Sequence, residues 1–359
     1  MASHPKNYSC HGRLNVSYGS PTTSAIMFSA GVLGNVVALI LLEIRRRKQT
    51  ASLFQVLVTS LIITDLLGTF SVSPLVITAY LRNESLLGMS GNRSVCEHFG
   101  YAMTFFSLVT LAILLSMAVE RWLSIGHPYF YEKRLTKRCG YIAVTLIYLV
   151  GVLFCVTPFL GFGKYVQHCP GTWCFIDMDL DEREHKVFNI IYASCLLAMI
   201  VCTVLCNASV IYHLLLMYRR HKANWSSTRG HRKHRSITKE VEHLVLLGFM
   251  TVAFVICSLP LVIQVYIHTI FNLESHKKDL IALLLLSANP IIDPWVFIIL
   301  SPPVPRLLWD KMCKNLKSKP TQEKFICVQP PLCQSSPPGC PQVVNLLKVY
   351  TEIPGTADS

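Results

Sequence analysis

Two small groups of ionisable residues stand in sequence that is otherwise almost wholly apolar. Asp65, with Asn289 and Asp293, forms one. Glu120 and Arg121 form the other, and Glu240 lies near the start of a later apolar block. A lone carboxylate in hydrocarbon is costly, so such residues should face one another inside a bundle, with water or a cation as a further partner. An Arg–Glu link between two helices is a latch. Formed, it holds a cleft shut; released, it opens a groove for a partner helix. Neither group makes or breaks a covalent bond. The chain has no H-E-x-x-H, no Walker-type phosphate loop and no Gly-x-Ser-x-Gly elbow, and its 13 histidines are scattered. The chemistry on offer is that of a switch. No enzyme activity, cofactor or metal site is expected.

The elements that must position these residues follow from hydropathy. The 359 residues are 52% hydrophobic and only 15% charged, where a soluble domain runs nearer a quarter. The mean hydropathy is +0.44. About 20 apolar residues at 1.5 Å rise cross a hydrocarbon core of roughly 30 Å. Seven such runs occur, at 22–43, 54–80, 98–120, 140–162, 187–217, 242–268 and 279–300. The spacing predicts an all-α membrane protein, a seven-helix bundle over 22–300. Residues 1–21 form a polar N-terminal tail without a cleavable signal, so the first span serves for insertion. After the bundle, Val304, Leu307, Leu308, Trp309, Met312 and Leu316 are spaced for a short amphipathic helix on the membrane surface over 301–317. The remainder, 318–359, is rich in Pro, Ser and Cys and is expected to be disordered. No repeat of broken helices suggests a transporter.

Charge sets the orientation. Most of the 33 Lys and Arg fall in alternate loops, beginning with Arg45-Arg46-Arg47-Lys48. Those loops belong inside, which puts the N-terminus outside the cell at the plasma membrane. The net charge of +13 is then topology and attraction to anionic lipid, not nucleic-acid binding. The sequons at Asn7, Asn15, Asn83 and Asn92 fall outside and are candidates for glycosylation; those at Asn207 and Asn224 do not. Of 14 cysteines, Cys139, Cys155, Cys195, Cys202, Cys206 and Cys257 lie in spans and should pack as small apolar side chains. Cys10, Cys96, Cys169 and Cys174 lie on the oxidising side, where three pairings are open.

One marker per span then accumulates: Gly34-Asn35-Val36, Leu61 with Asp65, Cys96 and Glu120-Arg121-Trp122, Pro260, Asn289, and Asp293-Pro294-Trp295-Val296-Phe297. In that order they resemble the rhodopsin-like G-protein-coupled receptors. Ser258 in place of that family's usual Trp, and Asp293 in place of its Asn, resemble the prostanoid receptors. So do Gly171-Thr172-Trp173-Cys174 and Pro74 with Tyr80. The stretches 27–35, 102–108 and 124–131 are most similar to the second subtype of prostaglandin E2 receptors, with prostaglandin D2 and prostacyclin receptors near.

The resemblance implies a lipid ligand outside, prostaglandin E2 first, with prostaglandin D2, prostacyclin or a neutral lipid as alternatives. A non-signalling lipid-binding relative is the other class of protein it leaves open. It implies a heterotrimeric G protein inside, the stimulatory one, and a rise in cyclic AMP. It places the ligand among Ser73, Tyr80, Met103, Ser107, Thr172, Trp173 and Leu284, and the switch at Glu120, Arg121 and Glu240. It puts a polar core at Asn35, Asp65, Thr110, Asn289 and Asp293, and pairs Cys96 with Cys174 and Cys10 with Cys169. The family's carboxylate-anchoring Arg falls on Leu284, which has neither charge nor donor. Either Tyr80 and Thr172 hold the acid alone, or Lys277 replaces the Arg two turns up, or the ligand is neutral. Ser318, Thr321, Ser335 and Ser336 offer few phosphosites, so arrestin recruitment should be weak, and Cys313 is a candidate for palmitate.

Overall fold

A computed structural model describes residues 12, 14–16, 19–48, 52–178, 183–223, 230–271 and 276–300. Side chains are described for all of these except 45, 48, 183, 218, 220–223, 230–247, 276 and 300. The expected surface helix over 301–317, the tail, and Cys313 lie outside the described residues.

The apolar runs become helices because hydrocarbon offers no partner to an open backbone group, so every N–H and C=O must be satisfied within its own helix. Among the described residues, seven helices are long and apolar enough to cross a membrane. They are α1 (Pro21–Lys48), α2 (Leu53–Arg82), α3 (Ser94–Gly126), α5 (Lys137–Val156), α6 (Arg183–Ala223), α7 (Gly230–Phe271) and α8 (His276–Leu300). A short helix, α4 (Pro128–Arg134), joins α3 to α5. Most helices outrun the hydropathy-defined spans: α7 begins at Gly230 where apolarity begins at 242. A helix formed in hydrocarbon goes on past it while its residues remain helix-competent.

Local chemistry sets some ends. The Ser52 side chain accepts from the Gln55 N–H and starts α2. Asn83, with φ 53°, closes α2 in the left-handed region. Pro128 opens α4, where its missing N–H costs nothing.

The helices pack as a closed bundle. Spans α1, α2 and α3 are neighbours in turn, α6 lies against α3 and α7, and α8 closes the ring between α7 and α1. Helix α3 is the most buried span and α5 the least. Many large apolar side chains point outward, among them Leu146, Leu153, Leu205 and Ile256. Such a surface suits lipid and not water. Cys195 and Cys202 also lie on exposed faces of α6. A helix apolar all round carries no label for its inner face.

The loop between α5 and α6 carries structure that hydropathy does not signal. It holds a hairpin, β1 (Tyr165–His168) against β2 (Trp173–Ile176), with Tyr165 opposite Ile176 and His168 opposite Trp173. Every hairpin residue is buried. The Cys96–Cys174 disulfide, Cα atoms 5.4 Å apart, ties β2 to α3. Cys169 is also disulfide-bonded; Cys10 lies outside the described residues.

Candidate functional site

The hairpin is a roof, and small residues let it sit close. A Cβ on Gly100 would lie 2.6 Å from the Tyr165 ring, so only glycine lets β1 rest on α3 there. The Tyr165 hydroxyl donates to the Cys155 carbonyl at 3.0 Å, which fixes the roof to the end of α5. Burial pushes the Tyr165 phenol above its ordinary pKa, so it stays a donor. Trp173 stacks on His168, centroids 4.5 Å apart, and donates to the Cys169 carbonyl at 2.8 Å. Residues 14–16 of the N-terminal segment add a second layer, with Asn15 bridged to Glu84. The Leu14 carbonyl accepts from the Ser85 N–H at 2.7 Å. Gly19, with φ +122°, brings the chain onto the Tyr80 ring, where a Cβ would be 2.5 Å away.

Beneath this roof a cleft enclosing about 1100 Å³, its open end included, runs among α1, α2, α3, α7 and α8. All seven residues expected at the ligand meet there: Ser73, Tyr80, Met103, Ser107, Thr172, Trp173 and Leu284. Thr172 Oγ1 is 3.5 Å from Tyr80 Oη. Ser107 Oγ and Tyr192 Oη share a hydrogen bond of 2.7 Å. Leu284 lines the cleft while remaining 42% exposed. It stands about 15 Å along the axis from Pro294. Lys277 is exposed on the first turn of α8 and is not among the lining residues, so it does not take the place of the missing Arg in this structure. The sequence did not mark Ser24, Met27 or Phe254 as ligand contacts; they line the cleft from α1 and α7. Nor did it signal the buried contact of His268 Nε2 with Asp279 Oδ1, 3.0 Å, which closes the α7–α8 seam at the roofed end.

The cleft reaches down to the polar core, where Asp65, Thr110 and Asn289 line or approach its floor. All five expected core residues are buried. They are joined less directly than the sequence suggested. Thr110 Oγ1 donates to Asp65 Oδ1 at 3.3 Å, and Asn289 Nδ2 donates to Ser258 Oγ at 3.1 Å. Ser258, where the resemblance leads one to expect Trp, thus ties α7 to α8. Asn35 has a distinct task. Pro294 has no N–H to give the Pro290 carbonyl one turn earlier, and Asn35 Nδ2 donates to that carbonyl at 2.8 Å. Asp65 Oδ2 and both Asp293 carboxylate oxygens have no protein donor among the described residues. Asp65 lines the floor of the cleft.

At the far end of α3, Arg121 and Glu120 form a buried bidentate pair, Nε to Oε2 and Nη2 to Oε1, the latter at 2.6 Å. The Arg121 guanidinium also lies over the Phe54 ring, 4.6 Å from its centroid. Tyr131, on α4, donates to Glu120 Oε1 at 2.6 Å. Its contact with Glu120 is not legible in the sequence, because only the α3–α4 turn brings it back to α3. Glu240 lies on α7, but its side chain is outside the described ones.

The sites expected for glycan also meet solvent. Asn15, Asn83 and Asn92 are exposed at the roofed end, and Asn7 lies outside the described residues. Asn207 is buried, its Nδ2 donating to Thr251 Oγ1 at 2.8 Å.

Comparison with known proteins agrees with this architecture. Residues 34–297 match the 7 transmembrane receptors of the rhodopsin family. The chain is 45% identical over 331 residues to the mouse (Mus musculus) prostaglandin E2 receptor EP2 subtype, covering 86% of this chain and 90% of that one. It is 40% identical to the mouse prostaglandin D2 receptor, covering 86% and 93%. Among solved structures, squid rhodopsin superposes with a TM-score of 0.69 over 85% of this chain and 87% of its own, at 14% identity, which speaks to the fold alone.

Proposed function

The chain belongs to the rhodopsin family of seven-transmembrane receptors, in its prostanoid branch, and is not an enzyme; from that premise we propose that it binds a lipid of the prostaglandin E2 class and signals through the stimulatory G protein to raise cyclic AMP. The observation that carries the reading is the two-ended bundle. A roofed, mostly apolar cleft with hydroxyl donors lies at one end, and a buried Glu120–Arg121 latch lies at the other. An apolar slot with a few convergent polar groups suits a long lipid.

The same helices serve both ends. Phe254 lines the cleft on α7, one turn before Ser258, which holds Asn289 of α8. A ligand that presses on α7 and α8 acts on this link. Outward movement of α7 frees the mouth beside Arg121 for a partner helix. A resting contact between Arg121 and Glu240 belongs to this proposal.

The roofed end is the extracellular one. Its disulfides suit an oxidising compartment, and the basic segment Arg45-Arg46-Arg47-Lys48 lies at the opposite end of α1. Glycan on Asn7, Asn15, Asn83 and Asn92, weak arrestin recruitment and palmitate on Cys313 complete the proposal.

The test is cyclic AMP output in cells expressing the receptor at a measured surface density, across a prostanoid panel, with and without the stimulatory G protein. A response to prostaglandin E2 that vanishes without that G protein is expected. No cyclic AMP response to any prostanoid would overturn the coupling.

A further inference from the structure

The cleft has an electrostatic character that its shape does not reveal. Among the described residues that line it, none is Lys, Arg or His. The one carboxyl is Asp65, at the floor. The lining is therefore neutral or negative. Lys277 and Lys278, on the α8 turn nearest the roof, are exposed, and Arg121 is bound to Glu120 at the other end. A carboxylate drawn into such a slot would lose its hydration without meeting an opposite charge, and that desolvation is costly.

What the roofed end offers instead is hydroxyls. Ser24, Ser73, Tyr80 and Thr172 each carry an O–H that can donate to a carbonyl or accept from an amide or alcohol. Leu284 and its neighbours supply the apolar wall. Asp65 lies fifteen residues before Tyr80 on the same helix, so the slot is about 22 Å deep, long enough for an extended lipid chain. A head group that both accepts and donates, and bears no charge, satisfies those hydroxyls at no charge-burial cost.

We propose that this slot takes its lipid in an uncharged form, a prostanoid whose carboxyl is esterified to glycerol or amidated with ethanolamine, in preference to the free acid. The proposal rests on the reading of the protein as a prostanoid receptor and specifies the head group.

The experiment uses the full-length receptor, purified, and measures thermal stabilisation by prostaglandin E2, its glyceryl ester and its ethanolamide. That readout does not depend on any G protein. Esterase and amidase inhibitors and mass spectrometry after the assay keep each ligand in its stated form. The ester or amide is expected to bind at least tenfold more tightly than the acid, about 1.4 kcal/mol. In Leu284→Arg, the acid should gain at least tenfold and the neutral forms should not. Equal or tighter binding of the acid by the unmodified receptor overturns the head-group proposal and leaves the prostanoid reading standing. Binding of none of the three by a receptor of normal thermal stability overturns that reading, and this inference with it.

Discussion

Removing one oxygen atom from Tyr131 tests the latch. Its hydroxyl donates to Glu120 Oε1 at 2.6 Å, and the same carboxylate receives both Arg121 bonds. A hydrogen bond to a charged partner contributes about 1.5–3 kcal/mol. If the bond exists only while Arg121 is held, Tyr131→Phe weakens the resting state by that amount and multiplies the active-to-resting ratio by roughly 10 to 150. A receptor resting at about 1% active would then stand at about one part in ten to somewhat over half. The ring and its packing are retained, so folding should not suffer. The assay is agonist-free cyclic AMP at matched surface density, beside Glu120→Gln as the direct lesion of the pair. Raised basal output in both is expected. A rise in Glu120→Gln alone would remove Tyr131 from the latch, and no rise in either would refute the idea that the pair restrains the receptor.

Three further outcomes follow from contacts elsewhere. Cys174→Ser opens a disulfide that joins positions 78 residues apart and should cost about 2–5 kcal/mol, seen as lost surface expression and lost ligand binding; normal binding would show that the hairpin roof holds without it. Asn35→Leu leaves the Pro290 carbonyl without its donor and should lower stability by about 1–3 kcal/mol, read as a lower melting temperature in detergent, whereas an unchanged value would mean another group takes over. Gly100→Ala drives a Cβ into the Tyr165 ring at a cost of about 1–3 kcal/mol and should weaken ligand binding, with recovery in Gly100→Ala/Tyr165→Ala; a single variant that binds normally would show that the roof can shift freely.

The sequence determined what can be decided by summing along one helix. Seven apolar runs require seven spans, because hydrocarbon penalises any other backbone. Asp65, Asn289 and Asp293 had to be interior, since a polar side chain in lipid has no partner. Glu120 and Arg121 are neighbours in the chain, so their pairing needed little help from the fold. Tertiary structure decided what depends on the rotation and height of one helix against another. Leu283 and Leu284 are the same residue type side by side, yet Leu283 is buried and Leu284 half-exposed at the slot's edge. No periodicity separates them, because a helix apolar on all sides carries no mark of which face turns inward. Ser258 as the partner of Asn289, Asn35 as the donor to Pro290, and Tyr131 as a donor to Glu120 are each contacts between different elements. The hairpin roof likewise depended on tertiary structure: four buried residues per strand owe their burial to α3 and a disulfide 78 residues distant, and not to any alternation of their own. Hydropathy is local and additive and so survives in the sequence. The hydrogen bonds and cavity walls are pairwise and geometric, and they exist only once the helices have been placed.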